Sequence, residues 1–264
     1  MITFEELKYR FEFIASAMSK KGMIVSDKFC LEPPVSETTL CKYEKKWNKK
    51  LPNDMRRFFL EVAGKVVFDW YDSDENDNKV LLEGPLKNSS HEFNPLYRWP
   101  VGGGFEWSLK KMDWIYEEIW SNDWEEGFNY ESPYYLPSPY DYSYSYPFII
   151  GEGGELFALY APSSGERPVF HCGDTCLEMW HKVADSFEEF WNNWTLVGCP
   201  HFSSYECFYN EKLQKLDPFC KDAITWRRVL GIEHLENGKL ESSPAPGHIT
   251  LTKIKYFRGF VEVD

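Results

Sequence analysis

The sequence is poor in positive charge: 29 lysine and arginine residues stand against 42 aspartate and glutamate residues, which leaves a net charge of −13. Proteins that bind nucleic acid or anionic membranes need a basic surface, so the composition argues against both classes of partner. The chain also lacks an apolar run long enough to span a bilayer. An acidic protein of this kind is suited to a cationic partner.

The cysteines and the first residues bear on the compartment. The seven cysteines are an odd number at irregular spacing, which is typical of free thiols rather than of a disulfide framework. Residues 1–13 have an amphipathic helix pattern and lack the basic start and apolar centre of a signal peptide. We therefore expect a cytoplasmic protein.

Catalytic and phosphate-binding motifs are scarce. No G-x-S-x-G sequence occurs. The glycines at 102–104 and 151–154 do not lead clearly into a helix start with a basic residue, as a phosphate loop requires, so we predict turns at both places. The run Asp72-x-Asp74-x-Asn76 is similar to a calcium loop, but Asp77 stands where that loop needs glycine, and a solvated acidic loop is predicted instead.

One short pattern could hold a metal ion. His171, Cys172 and Cys176 lie close together, and His181 and His201 follow. A structural zinc site needs a second close pair of ligands, which is missing, so we predict no bound metal or cofactor and interpret the cysteines as small apolar residues. A hydrolase with a site near His171, Cys172 and His181 remains an alternative.

Aromatic residues are abundant: 11 tryptophans, 16 tyrosines and 20 phenylalanines. Many fall at helical spacing, but tyrosines crowd the irregular, proline-containing stretch 127–146, where they cannot all be core. Tyrosine is favoured at protein interfaces. We therefore predict protein-binding residues in this stretch and in the acidic run: Tyr140, Tyr142, Tyr144, Asp72, Asp74, Glu75 and Asp77.

Hydrophobic periodicity and turn residues predict the order of elements. Helices are predicted at residues 1–20, 111–126 and 206–216. Three more are predicted from their first residues: one starts at Ser36, one is capped by Asn53-Asp54 and ends at Gly64, and one starts at Ser186. The predicted strands are 65–70, 105–109, 146–150, 156–160, 169–172, 176–183 and part of 249–263. Helices, then strands with tight turns, then a helix indicate an α+β fold with a central antiparallel or mixed sheet flanked by helices.

Three stretches in this order resemble the SUKH superfamily, the Smi/Knr-like group. The first runs from Pro34 through the Leu-Pro break at 51–52 to Ala63-Gly64, the second is the strand–glycine turn–strand at 151–159, and the third is the closing helix start at 183–190. The resemblance covers about 33–195. It divides the chain into an N-terminal helix and connector (1–32), a SUKH-like domain (33–198) and a C-terminal extension packed on the core (199–264).

The resemblance implies a domain without catalytic residues. Bacterial SUKH proteins are commonly immunity proteins that bind polymorphic toxins, often basic nucleases or deaminases, and block them; a fungal relative regulates cell-wall synthesis. It therefore implies an immunity protein that occludes a cognate toxin, with a regulatory scaffold as the alternative. The residues that match the family look structural, and none transfers as a catalytic site: Leu51, Pro52, Phe58, Gly64, Gly154, Ala184 and Phe187.

Overall fold

The computed structural model describes residues 2–71, 102–120, 144–151, 155–172, 181–201, 207–233 and 235. The first helix, α1, spans Phe4–Lys20 and confirms the N-terminal prediction. Thr3 caps it in a reciprocal capping box with Glu6, which satisfies free backbone N–H groups of the first turn. Its apolar stripe is buried against the rest of the molecule.

Two helices follow the connector. α2 spans Glu37–Lys46 and has Ser36 as its N-cap, as predicted. α3 spans Asn53–Arg57 and continues as a π-helical turn over Phe58–Val62. The predicted cap for α3 was wrong: Pro52 holds the N-cap position without a side-chain hydrogen bond, and Asp54 instead pairs with Arg167 at 3.2 Å.

The first sheet is antiparallel and is built around one long strand. β3, Lys65–Tyr71, pairs along one edge with β1, Ile24–Val25, and β2, Cys30–Glu32. Its other edge pairs with β4, Gly102–Ser108, over the full length of β3. β1 and β2 therefore lie end to end along the same side of the sheet.

The glycines at 102–104 belong to β4, so the predicted turn at this place was wrong. A Cβ atom on Gly103 would clash with the carbonyl oxygen of Cys199 and would lie 2.5 Å from Nε1 of Trp70. Glycine is needed here because another backbone segment passes close to the strand. A run of glycines can mark either a turn or a strand that another backbone segment approaches closely, and the sequence alone does not distinguish these two cases.

The second sheet is a four-stranded antiparallel meander in the order β5-β6-β7-β8. Its strands are Ser145–Ile150, Leu156–Tyr160, Val169–Cys172 and His181–Ala184. The predicted hairpin of β5 and β6 is confirmed, with Gly151 donating its N–H to the carbonyl oxygen of Glu155 at 2.8 Å. The last strand begins at His181, and residues 176–180 of its predicted span lie outside the described residues.

Two helices frame this sheet. α4 spans Leu109–Trp114, starts two residues before its predicted beginning, and continues as a π-helical turn over Ile115–Trp120. α5 spans Phe187–Leu196 and begins at the predicted N-cap, Ser186.

The core is a connected cluster of buried apolar side chains in which aromatic rings dominate. Trp191 of α5 stacks on Phe58 with ring centroids 4.7 Å apart and meets Trp107 edge-on at 5.8 Å. Trp107 also stacks on Phe59 at 4.2 Å. These rings tie α5 to α3 and β4, and such aromatic pairs add stability beyond their buried area.

The residues after α5 form a hairpin and a helix. The predicted helix at 206–216 was wrong: β9, Tyr209–Asn210, and β10, Lys215–Leu216, form a short antiparallel hairpin. The side chain of Asn210 accepts backbone N–H bonds from residues 212 and 213, and Gln214 has φ of 52°, which reverses the chain. Sequence reasoning did not predict the next helix, α6, Lys221–Leu230.

α6 joins the same core. Trp226 is fully buried, donates its indole N–H to the carbonyl oxygen of Val197 at 2.9 Å, and lies 6.1 Å from the ring of Trp70. Strands predicted within 249–263 lie outside the described residues. Helices packed on antiparallel sheets confirm the predicted α+β class. No helix in the described ranges has the length and apolar character to cross a bilayer.

Candidate protein-binding surface

Tyr144 is the predicted contact residue that the structure describes. It directly precedes β5, is 39% exposed, and its ring meets that of Tyr160 edge-on at 6.3 Å. Its carbonyl oxygen accepts a hydrogen bond from the N–H of Ala161 at 2.9 Å. A half-exposed ring held in this way can pack against another protein with little loss of conformational freedom. The other predicted contact residues lie outside the described residues: Asp72, Asp74, Glu75, Asp77, Tyr140 and Tyr142.

A lysine–tyrosine pair lies next to Tyr144. The Nζ atom of Lys49 is 4.2 Å from the ring centroid of Tyr146 and donates to the carbonyl oxygen of Ser145 at 3.0 Å. Burial lowers the pKa of Lys49 to about 8, because the charged ammonium loses hydration there. Burial also raises the pKa of the Tyr146 hydroxyl. Lys49 therefore changes its charge just above neutral pH.

Aromatic and charged groups continue beside this pair. Trp47 stacks on Tyr116 with centroids 5.1 Å apart and donates its indole N–H to Asp113 at 2.8 Å. Lys46 bridges Asp113 and Glu117, at 2.6 Å from each. These bonds hold the Trp47 ring in one orientation.

Trp114 is 43% exposed, and the Nζ atom of Lys111 lies 4.2 Å from its ring centroid. We call Trp47, Lys49, Tyr144 and Tyr146 together the aromatic surface; Trp114 follows Asp113, the partner of Trp47, on α4. Partly exposed tryptophan and tyrosine rings with neighbouring cations are typical of the residues that dominate protein interfaces. The tyrosine-rich stretch at 127–143 joins the described chain at this surface, through Tyr144.

The acidic run joins the fold at a different element. Tyr71, the last residue of β3, is 46% exposed, and Asp72 follows it in the sequence. This end of β3 lies near α6, since the rings of Trp70 and Trp226 are 6.1 Å apart. Tyr144, in contrast, directly precedes β5, and β5 lies beside α4. The two predicted contact groups thus extend from different elements.

The histidines of the alternative hydrolase site are on adjacent strands. His171 of β7 pairs in register with His181 of β8, while Cys172 pairs with Leu156 of β6. The ring of His171 packs edge-on against Phe157, with centroids 5.6 Å apart. Within the described ranges, no group of three or more histidine, cysteine, aspartate or glutamate side chains is arranged to hold a metal ion.

A polar pocket of about 290 Å³ lies between α1 and the outer face of α5. We call it the α5 groove; it is lined by Arg10, Ser186, Glu188, Glu189, Asn192, Asn193 and Leu196. Arg10 is only 3% exposed, and its Nη1 donates to Thr195 Oγ1 at 2.7 Å and to Asn192 Oδ1 at 3.3 Å. Burial lowers the pKa of Arg10, although an arginine remains charged in proteins.

Sequence reasoning missed this groove. The signal was present, because Arg10 lies three residues after Leu7 and four before Ile14 on the apolar stripe of α1. A charge on the buried side of a helix indicates a special partner. What the sequence could not show is that the polar face of α5 lies opposite this arginine.

Comparison with known protein families gives a match to the SMI1 / KNR4 family (SUKH-1) over residues 34–193. The chain belongs to this family. Comparison with curated proteins and with solved structures gives no significant match. The matched range of this SUKH-1 protein starts just before α2 and ends within α5, so Arg10 of α1 lies outside it, whereas most other residues of the α5 groove lie inside.

Gly154, one of the residues that carry the sequence resemblance, lies outside the described residues; others of the set have structural positions in this SUKH-1 protein. Phe58 and Phe187 are buried and meet edge-on at 5.6 Å. Gly64 lies so close to the preceding connector that a Cβ atom there would come within 2.7 Å of the carbonyl oxygen of Pro33. Leu51 and Ala184 are also buried. Family membership is compatible with an immunity or a regulatory role.

Proposed function

We propose that this SUKH-1 protein is a non-catalytic binding module, an immunity protein that binds a cognate polymorphic toxin and blocks it by covering its active site. The observation that carries the proposal is the SUKH-1 match over residues 34–193. The toxin is a cationic protein, such as a nuclease or deaminase, and the complex forms in the cytoplasm. Nucleic acid and membranes are not partners.

The charge of the chain supports a cationic partner. A net charge of −13 attracts a basic protein over several ångströms, which raises the association rate and opposes nonspecific binding to other acidic proteins. The acidic run at 72–77 concentrates part of this charge in one short segment. It would compete with nucleic acid for the basic groove of a nuclease toxin.

The aromatic surface supports a direct contact. Tyr144 is partly exposed, and Trp47 is held by Tyr116 and Asp113 in a defined orientation. Rings that are already ordered lose little entropy on binding, so they contribute efficiently to affinity. We propose Tyr140, Tyr142 and Tyr144 as the part of the contact that continues from this surface.

The regulatory-scaffold alternative makes a different prediction about the partner. An immunity protein binds the toxin encoded by the neighbouring gene, whereas a scaffold binds components of a larger assembly. The purified full chain is therefore mixed with the purified product of the neighbouring gene, and the toxin's activity is measured as the mixing ratio increases. Loss of activity at a stoichiometric ratio supports the immunity role. Full activity at saturating ratios contradicts it.

Charge variants test which acidic residues matter. Replacing Asp72, Asp74, Glu75 and Asp77 by Asn or Gln removes four negative charges. The matched control replaces four exposed carboxylates elsewhere, Glu5, Glu12, Glu166 and Glu211, by Gln. We expect the first variant to lower the association rate about tenfold more than the control at about 0.15 M salt, because screening there limits each charge to about 8 Å and favours the charges at the interface. Equal effects would show that only net charge matters.

The domain division is a proposal of the same kind. We propose that 33–198 is the SUKH-1 domain and that 1–32 and 199–264 flank it and pack on its core. Leu7 of α1 and Trp226 of α6 are both fully buried in the shared cluster, which supports the packing of both flanks on the core. Removing either flank should therefore destabilise the protein rather than release an independent unit.

A further inference from the structure

Arg10 carries a buried charge without a carboxylate partner among the described residues. Its Nη1 bonds are to the neutral oxygens of Thr195 and Asn192, at 2.7 and 3.3 Å. The carboxylate of the nearby Glu6 accepts the backbone N–H of Thr3 at 2.7 Å. Glu6 therefore acts on Arg10 through its charge alone, which opposes the lowering of the Arg10 pKa by burial. A buried charge that is hydrogen-bonded but not neutralised retains a strong preference for a countercharge.

The acidic residues that line the α5 groove already have other partners. Glu189 pairs with Lys215 at 2.6 Å and accepts the backbone N–H of Asp185 at 2.7 Å. The charge of Glu188 acts on Arg57, where it adds to the larger effect of the hydrogen bond from Arg57 to Glu61 in raising the pKa of Arg57. Arg10 is the basic residue of this lining, and its guanidinium makes no ion pair with a carboxylate among the described residues.

The size and polarity of the groove define what it could hold. A volume of about 290 Å³ is at the lower end of the range for ligand pockets, so it suits a small group rather than a large cofactor. The two hydrogens of Nη1 are used by Thr195 and Asn192, which leaves the parallel N–H donors of Nε and Nη2 to match the two oxygens of a carboxylate. Asn193 and Ser186 add amide and hydroxyl groups that can bond to the peptide units beside it.

We infer that the α5 groove is a carboxylate-binding site in which Arg10 holds an aspartate or glutamate side chain of the protein partner. The identity of the partner rests on the proposed function; the carboxylate site itself does not. A basic toxin that presents one acidic side chain to Arg10 would be positioned by it, because a single opposite charge pair in an otherwise acidic surface fixes the register of the complex.

The first experiment tests the site without the partner. The Nε–Hε resonance of Arg10 is followed by NMR in the full-length protein while sodium acetate replaces sodium chloride at constant ionic strength. We expect a saturable shift of this resonance. Arg56, which is bound by Glu44 and Glu37, is the internal control and should not shift. The absence of a saturable shift at Arg10, or an equal shift at Arg56, would overturn the inference.

Two variants refine the result. Arg10→Met removes the charge, should abolish the acetate response and also assigns the resonance. Arg10→Lys keeps the charge but loses the planar pair of donors, so residual acetate binding should be weaker and is read from neighbouring backbone resonances of α5. If Arg10→Met does not fold, the acetate titration of the unchanged protein still decides the question. Acetate binding to Arg10→Met as tight as to the unchanged protein would contradict the inference.

The second experiment asks whether the carboxylate belongs to the partner. Arg10→Met should weaken binding of the neighbouring gene product at least about tenfold, and saturating acetate should compete with that product on the unchanged protein. Acetate binding without any effect on partner affinity would assign the groove to a free carboxylate and overturn the partner assignment. If the unchanged protein does not bind the product at all, the proposed function fails, and the acetate result alone still decides the carboxylate site.

Discussion

The two faces of α5 differ in nearly every physical respect. The inner face is aromatic and fully buried: Phe187, Phe190, Trp191 and Trp194. The outer face lines a polar groove with hydroxyl, amide and carboxylate groups: Ser186, Glu188, Glu189, Asn192 and Asn193. One helix therefore supplies both the centre of the core and a site that could contact a partner. Substitutions on the two faces should have separable effects on stability and on binding.

The largest effect should come from the inner face. Trp191→Ala would remove a ring that stacks on Phe58 at 4.7 Å and meets Trp107 at 5.8 Å. We expect the free energy of unfolding to fall by about 3–5 kcal/mol, because the cavity cannot close in a rigid aromatic cluster. Urea denaturation followed by circular dichroism measures the change.

The matched outer-face variant is Asn193→Ala, which loses one hydrogen bond to the carbonyl oxygen of Leu216, 3.2 Å long. Its cost should be about 1 kcal/mol. Equal losses in Trp191→Ala and Asn193→Ala would remove the distinction between the two faces.

The next largest loss of stability should come from the place where β4 passes under Cys199, in the segment that follows α5. Gly103→Ala would place a methyl group against the backbone carbonyl of Cys199, and neither backbone can move far. We expect a loss of about 1–3 kcal/mol in the free energy of unfolding. Gly104→Ala is the control, because its added methyl group would meet the movable carboxylate of Asp69 at 2.7 Å. Thermal unfolding of both variants should show the smaller loss for Gly104→Ala; the reverse order would contradict the close approach of β4 to Cys199.

Lys49 gives the aromatic surface a pH dependence above neutral pH. Burial lowers its pKa from 10.5 to about 8 in the folded protein, so the unfolded chain binds the proton more tightly between these values. The Lys49 contribution to the free energy of unfolding therefore rises as pH increases from about 8 towards 10.5. Denaturation at several pH values should show that Lys49→Met reduces this rise. An unchanged slope would show that Lys49 titrates normally.

An effect as small as that of Asn193→Ala should come from the helix start that the two faces share. Ser186→Ala removes the side chain that accepts the N–H of Glu189 at 3.1 Å, and should cost about 1 kcal/mol of unfolding free energy. Ser186→Asp keeps an N-cap acceptor and should be close to the unchanged protein in chemical denaturation. A loss in Ser186→Asp as large as in Ser186→Ala would contradict the capping role of the Ser186 side chain.

Local signals made the inner face of α5 predictable. A serine N-cap followed by acidic residues and aromatic residues at helical spacing identifies a helix with one apolar face, and the structure confirms it from Phe187 onward. The hairpin of β5 and β6 was equally predictable, since two apolar runs flank a glycine-rich turn in the sequence. These elements depend on residues that are neighbours in sequence.

Features that depend on distant residues were not predictable. Position 103 within the strand must be glycine because the backbone of Cys199 passes over it, and no residue near Gly103 in the sequence indicates this approach. The hairpin at 209–216 is a local exception, because the side chain of Asn210 bonds to the backbone of residues 212 and 213 and so competes with the helical pattern that the sequence also contains. The groove at Arg10 required α1 to lie against α5, which is a matter of packing rather than of local pattern.

Co-expression tests the central claim most directly, because it asks for protection rather than for binding alone. The toxin encoded by the neighbouring gene is expressed in a host cell with and without this SUKH-1 protein, with the destabilised Trp191→Ala variant as a folding control. The account predicts that the intact protein restores growth and that Trp191→Ala does so poorly. Continued lethality in the presence of well-folded, abundant protein would contradict the immunity role.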